Sequence, residues 1–118
     1  MNQGLIKTYL ADAPIEGSRI VKAGSADGHV AMASNLNDPI LGISDLLGNR
    51  PDMRVDVVHS QITDLKLGGN VSYGARLTTD ANGQGIQIVA SNAGASVVGK
   101  ALQSGINGDI IPVLITLA

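Results

Sequence analysis

The chain has 118 residues, a formal net charge of −2, no cysteine, and only two aromatic residues, Tyr9 and Tyr73. A chain of this length buries roughly 65% of its unfolded surface, which is enough for one small core and excludes two independent domains. The lack of cysteine excludes a disulfide framework and thiolate metal sites. The lack of a basic stripe and of stacking aromatics argues against nucleic-acid binding.

The composition also limits where the protein acts. No apolar run approaches the roughly eighteen residues that a transmembrane helix needs. The first residues, from Met1 to Lys7, contain no basic segment followed by an apolar one, so no signal peptide is indicated. We therefore expect a protein that acts where it is made, or is assembled onto something there, with no membrane partner.

Residues 1–15 are the first predicted element and differ in character from the rest. Leu5, Ile6, Tyr9 and Leu10 lie on a segment that ends at Ala13-Pro14. This segment is either the first strand of the fold or an N-terminal arm that pairs with another chain by strand addition. Residues 16–118 are then expected to form a single β domain.

Turn signals recur at short intervals through the rest of the chain. Asp27-Gly28, Asn82-Gly83 and Asn107-Gly108 tolerate the positive φ of tight hairpins. The short apolar or alternating runs between turns are predicted strands: 19–23, 29–33, 40–44, 53–59, 62–67, 76–79, 86–90, 97–102 and 110–117. Many short strands with such spacing are typical of a sandwich or barrel. We predict an all-β fold, a small compact β-barrel or sandwich with little helix.

The last predicted strand contains a proline. Residues 110–117 are β-branched and apolar, and Pro112 favours an edge position because proline has no amide hydrogen for the ladder. The exposed edge near Pro112 is a second candidate contact surface.

The two halves of the chain resemble each other at an offset of 57 residues. Ten identities occur over 10–52, among them Gly42 with Gly99, where about three are expected by chance. The repeat is either a duplicated β unit or a set of similar hairpins that share turn residues. Gly42 and Gly99 fall inside strand-like runs, where glycine marks a bulge, a bend or a close backbone approach. Bends at both places would curl a sheet toward a barrel, although the chain is also simply rich in glycine.

The search for catalytic chemistry gives no candidate residue. His29 and His59 have no partner at a metal-ligand spacing, and no nucleophile elbow, phosphate loop or calcium loop occurs. Five aspartates at turns are predicted to accept backbone hydrogen bonds: Asp27, Asp38, Asp52, Asp80 and Asp109. An enzyme of this size usually needs a recognisable polar constellation in a cleft. We therefore expect no enzymatic activity, cofactor or metal.

Several stretches, in order along almost the whole chain, match a known pattern: 19–24, 26–30, 38–45, 54–57, 67–71, 74–83, 98–102 and 108–113. In their order and spacing the sequence resembles the small head decoration proteins, also called capsid cement proteins, of tailed bacteriophages. Each stretch alone is a generic β-turn-β signature, so the resemblance depends on the series.

The resemblance implies an all-β virion protein that is not an enzyme. Such proteins bind the outer surface of the expanded capsid, often as homotrimers, and clamp neighbouring major capsid proteins together. In several of them the N-terminal arm adds to the capsid lattice. Its position in the chain therefore makes Leu5, Ile6, Tyr9 and Leu10 the implied capsid-facing residues. The implied location is the outside of the virion, after synthesis in the bacterial cytoplasm, without direct contact to nucleic acid.

Two other functions stay open at the level of the sequence. The mouth of a closed barrel could hold a ligand, which would make the protein a small β-barrel ligand-binding module. The scarcity of aromatic residues counts against this alternative, because pockets are commonly lined by them. Another phage structural component, such as a tail or spike domain, would share the same small β elements.

Overall fold

Ten β-strands make up nearly all the regular structure of residues 5–117, the part of the chain that this computed structural model describes. The first half contains β1 (Ile6–Ala11), β2 (Ile20–Ala23), β3 (His29–Met32), β4 (Ile40–Ser44) and β5 (Arg54–Val58). The second half contains β6 (Gln61–Lys66), β7 (Arg76–Thr79), β8 (Gly85–Gln87), β9 (Gly99–Ala101) and β10 (Ile110–Ile115). One 3₁₀ turn covers Ala90–Asn92. The all-β prediction is confirmed, and every strand predicted between 19 and 117 overlaps an observed one.

Within the same described range, no helix has both the length and the apolar character that crossing a bilayer would require.

The first five strands form a closed barrel in the order β1-β3-β2-β4-β5. Strand β1 closes it, because β1 pairs antiparallel with β5 from Ile6↔Val58 to Leu10↔Arg54. On its other edge, β1 pairs in parallel with β3 at Leu10↔His29. Of the two alternatives for the N-terminal segment, residues 6–11 therefore form the first strand of the fold.

The second half repeats the strand order of the first. Its sheet has the order β6-β10-β9-β7-β8. When the barrel is opened between β1 and β3, its order becomes β1-β5-β4-β2-β3, and adding five to each strand number gives the order of this sheet. An isolated parallel bridge between Leu67 and Gly85 lies where the parallel β1–β3 pairing lies in the first half. The sequence repeat therefore corresponds to a repeated strand topology, closed by full pairing in one half and by a single bridge in the other.

Gly42 and Gly99 occupy equivalent places in the two halves. A Cβ at Gly42 would overlap the carbonyl oxygen of Val58, and one at Gly99 would overlap that of Leu114. In both cases the strand that follows in the sheet passes too close for a side chain. Opposite Gly42 the β2–β4 register also shifts between Val21 and Lys22. The physical reason for these two glycines is thus close backbone approach, with a bulge in the first half.

The prediction that Pro112 lies at a sheet edge is wrong. Strand β10 is an inner strand, paired with β6 on one side and β9 on the other. The carbonyl oxygen of Pro112 accepts a hydrogen bond of 3.0 Å from the amide of Leu102, which follows the last residue of β9. In a strand the nitrogen and the carbonyl oxygen of one residue point to the same side. The proline nitrogen therefore faces the side of β9, just past the last residue of that strand, and its missing hydrogen removes no hydrogen bond to β9. The exposed edge predicted there as a second contact does not exist.

Most of the predicted turn residues have the geometry expected of them. Gly28, Gly83 and Gly108 all have positive φ, which allows the tight hairpins. The carboxylate of Asp80 accepts the backbone amides of Asn82 and Gln84 at 2.8 and 2.9 Å.

The same role is confirmed at three other aspartates, and for Asp27 it stays a prediction. Asp38 accepts the amide of Ser34 at 2.8 Å, and Asp52 accepts that of Arg54 at 3.2 Å. Asp109 accepts the amide of Ile106 at 3.0 Å.

Two aliphatic cores hold the molecule together. The smaller core fills the first barrel: Ala11, Ile15, Val21, Val30, Val55 and Val57. The larger one fills the second half and reaches across to the first through Ile20, Ala33, Ile43 and Val58. Backbone bonds from Lys66 to Ser18 and from Ile20 to Gly83 also join the halves. The larger core therefore spans both repeats, and the seam between them is where surface clefts can form.

Candidate interaction surface

The four residues implied as capsid-facing do not share one face of β1. Side chains alternate along a strand, so Ile6, Thr8 and Leu10 point to one side and Tyr9 to the other. Ile6 and Leu10 are 40% and 42% exposed, and Leu5, just before the strand, is 64% exposed. Tyr9 is half-buried and packs against the core of the first barrel. The exposed apolar surface of this segment therefore consists of Leu5, Ile6 and Leu10.

Tyr9 is held in the fold by contacts with His59. Its hydroxyl lies 2.8 Å from Nε2 of His59, and the two ring centroids are 5.5 Å apart. Nδ1 of His59 lies 2.7 Å from the carbonyl oxygen of Leu41 and must be the protonated nitrogen, because a carbonyl only accepts. In the neutral imidazole, Nε2 then accepts the proton of the Tyr9 hydroxyl. His59 connects β1, β4 and β5 and is fully hydrogen-bonded.

The outward face of β1 is fixed to β5 by polar contacts. Thr8 Oγ1 donates to Oδ1 of Asp56 at 2.6 Å, and Nη2 of Arg50 lies 2.9 Å from Oδ2 of the same carboxylate. The hydrogen bond from Thr8 lowers the pKa of Asp56, burial opposes that effect, and Arg50 adds to it. Ile6 and Leu10 are thus presented on a strand whose position is held on both edges.

A cleft opens at the seam between the two halves, beside Ile6. Its volume is about 470 Å³, which lies in the range of small-ligand sites. We call it the acidic cleft, and its lining residues come from β1, from the β1–β2 loop, from the β4–β5 region and from β6: Ile6, Ser18, Asp45, Leu46, Asp56, Val58, Ile62, Thr63 and Asp64. Sequence reasoning missed this cleft, because its residues come from segments that are far apart in the chain.

Two polar atoms of the acidic cleft are buried without a hydrogen-bond partner, Oγ of Ser18 and Oδ1 of Asp45. Ser18 is only 2% exposed and has a φ of 56°, a left-handed conformation that is uncommon for residues other than glycine. Burial raises the pKa of Asp45, and the nearby negative charge of Asp56 raises it further.

His29 belongs to a group of hydrogen-bonded side chains at the surface of the first barrel, together with Asp12 and Ser25. Its Nδ1 lies 3.0 Å from Oδ1 of Asp12, and that carboxylate also accepts the amide and hydroxyl of Ser25 at 2.7 and 2.9 Å. The hydrogen bonds from Ser25 lower the pKa of Asp12, with a smaller contribution from His29. Across residues 5–117, no group of three or more His, Asp or Glu side chains is arranged to hold a metal ion.

The fold is shared with a known phage protein over nearly its whole length. The crystal structure of the head fiber gp8.5 N base in bacteriophage phi29 superposes with a TM-score of 0.72 and 16% sequence identity. The match covers 95% of this chain and 93% of that one. At this level of identity the likeness shows a shared β fold and does not by itself define a function. No protein-family model and no curated protein sequence matches the chain.

Proposed function

We propose that the chain is a structural protein of a phage virion, a head decoration or cement protein that binds the outer surface of the expanded capsid. The observation that carries the proposal is the fold shared with a phage head fiber base over 95% of the chain. Since a fold by itself does not define function, the proposal also draws on the similarity of the sequence to cement proteins and on the exposed apolar residues of β1.

The proposed mechanism is contact rather than catalysis. The protein would stabilise the contacts between neighbouring major capsid proteins, and the implied oligomer is a homotrimer. Each contact can be modest, because many copies on a lattice and several subunits in each oligomer multiply the effect of weak binding. Ile6 and Leu10 supply exposed apolar surface on the strand that closes the barrel, and Leu5 adds to it just before that strand.

A second candidate function is the base of a fiber or other appendage attached to the head. The superposed protein favours it, since that structure is described as the base of a head fiber. The two functions differ in copy number, because a cement protein occupies the lattice densely whereas appendages occupy selected positions.

Binding to undecorated expanded heads tests the proposal. Purified protein should bind them saturably, with a stoichiometry set by the capsid lattice, and electron cryomicroscopy should place it between capsomers. Sparse density at selected positions would favour the appendage base. Failure to bind cognate heads would refute both functions. Native mass spectrometry of the free protein should show a trimer, and a strict monomer on and off the head would remove that part of the proposal.

A further inference from the structure

We propose that the acidic cleft is a binding site for a basic side chain, a lysine or arginine that a partner protein presents next to an apolar residue. The identity of the partner rests on the proposed function, which makes it a capsid protein. The chemistry of the cleft is argued from this chain alone.

The charge of the cleft is the first reason. Asp45, Asp56 and Asp64 line it, and none of its lining residues is a lysine, arginine or histidine. Asp56 already has Arg50 as a partner. Among the salt bridges of residues 5–117, none uses Asp45 or Asp64. Arg50 acts on Asp45 only from beyond salt-bridge distance, so within this range neither carboxylate has a cation in direct contact, and the cleft favours a positive ligand.

The buried polar atoms are the second, independent reason. Oγ of Ser18 and Oδ1 of Asp45 are buried in the cleft without a partner. Buried polar atoms are nearly always hydrogen-bonded, and each exception needs an explanation. An ammonium or guanidinium group carries several donors and no acceptor, so it can satisfy both oxygens while compensating the charge of the carboxylate. An apolar ligand would satisfy neither atom, and an anionic ligand could accept only the hydroxyl proton of Ser18 and would leave Oδ1 of Asp45 without a donor.

The apolar rim identifies the ligand as part of a protein. Ile6, Leu46 and Ile62 line the same cleft as the carboxylates, and all three are exposed. Lysine and arginine have long aliphatic stems that pack along such surfaces while the charged group reaches a polar site. An apolar neighbour of the basic residue would cover the rest of the rim. This combination of an apolar border and a charged centre is typical of a contact between proteins.

A peptide titration followed by NMR tests the site directly. The probe is acetyl-Leu-Lys-Leu-amide, and its matched control is the same peptide with the lysine Nε-acetylated, which removes the charge and keeps the stem. With the full ¹⁵N-labelled chain, we expect saturable shifts at the amides of Ser18, Asp45, Leu46 and Ile62. The acetylated peptide should bind at least tenfold more weakly. Equal binding of both peptides, or no saturable shift at these amides at millimolar concentration, would overturn the inference.

Variants of the chain test whether the carboxylates of Asp45 and Asp64 bind the lysine of the peptide. The double variant Asp45→Asn/Asp64→Asn should lose the lysine-dependent shifts, whereas Asp27→Asn, at an exposed hairpin, should keep them. An unchanged amide spectrum outside the cleft confirms that the double variant is folded. If it binds the lysine peptide as well as the parent does, the cleft is not the site.

Binding to undecorated heads separates this inference from the proposed function. If both hold, Asp45→Asn/Asp64→Asn should bind heads at least tenfold more weakly than Asp27→Asn. Lysine-peptide binding without any head binding would refute the proposed function and leave the site intact. Head binding that is equal for both variants, together with no peptide binding, would refute the site and leave the proposed function intact.

Discussion

The Tyr9 hydroxyl donates to Nε2 of His59 across 2.8 Å, and this bond connects the strand that closes the barrel to the end of β5. Tyr9 would otherwise be classed with the exposed residues of its segment. Its half-buried ring and its hydrogen bond instead make it part of the scaffold that holds Ile6 and Leu10 in place.

Replacing Tyr9 by phenylalanine tests this role. Tyr9→Phe removes the donor and leaves the acceptor of His59 unpaired, so we expect a loss of about 1 kcal/mol in the free energy of unfolding. Urea denaturation measures it, and Tyr73→Phe is the control, because Tyr73 is exposed and its change should be close to zero. A weakened head affinity at unchanged stability would instead make the hydroxyl a capsid contact.

The two close backbone approaches give a second prediction. Gly42→Ala and Gly99→Ala each place a methyl group against a neighbouring carbonyl oxygen, so each should destabilise the protein by about 2 kcal/mol or more. Gly94→Ala is the control, since a Cβ there meets no atom within 4 Å. The melting temperatures of the three variants, measured by thermal unfolding, test this prediction. Similar melting temperatures for all three would show that the strands can move apart at little cost.

The outward face of β1 gives a third prediction, which concerns binding. Leu10→Gln removes apolar surface from an exposed position and should change stability by no more than about 0.5 kcal/mol. If Leu10 contacts the capsid, affinity for undecorated heads should fall about tenfold, which corresponds to about 1.4 kcal/mol. Ile106→Gln, at another exposed position, is the matched control. Equal affinities for the two variants would remove Leu10 from the contact surface.

The raised pKa of Asp45 gives a fourth prediction. Burial and the charge of Asp56 place this pKa in the folded state above its ordinary value of 3.8. The carboxylate therefore destabilises the folded state fully above the folded pKa and not at all below the unfolded pKa. As the pH rises through that window, wild type should lose stability relative to Asp45→Asn, because the two proteins share all other titrating groups.

Melting temperatures measured across pH check this sign. Asp45→Asn should unfold at a higher temperature than wild type at neutral pH, and the gap should close once the pH falls below 3.8. Asp27→Asn serves as the control for the removal of an exposed charge. A gap that stayed constant with pH would mean that the ionisation of Asp45 does not cause it.

Much of the fold could be predicted from local patterns. Gly28, Gly83 and Gly108 mark turns because only a positive φ closes them, and the alternation in Arg54-Val55-Asp56-Val57 marks a half-buried strand. Pro112 shows the limit of such reasoning. Proline disfavours an inner strand, but where the neighbouring strand ends the penalty disappears, and only the register of β9 against β10 decides this.

The sequence by itself determined the all-β class, the strands, most turns and the offset at which the two halves repeat, because each depends on residues close together in the chain. The tertiary structure decided which side of β1 is buried, where the halves meet, and that Ser18, Asp45 and Asp64 line one cleft. Those features arise from pairing and packing between distant segments. The spacing of these residues along the chain does not predict that they come together, because they meet only where the two folded repeats pack against each other.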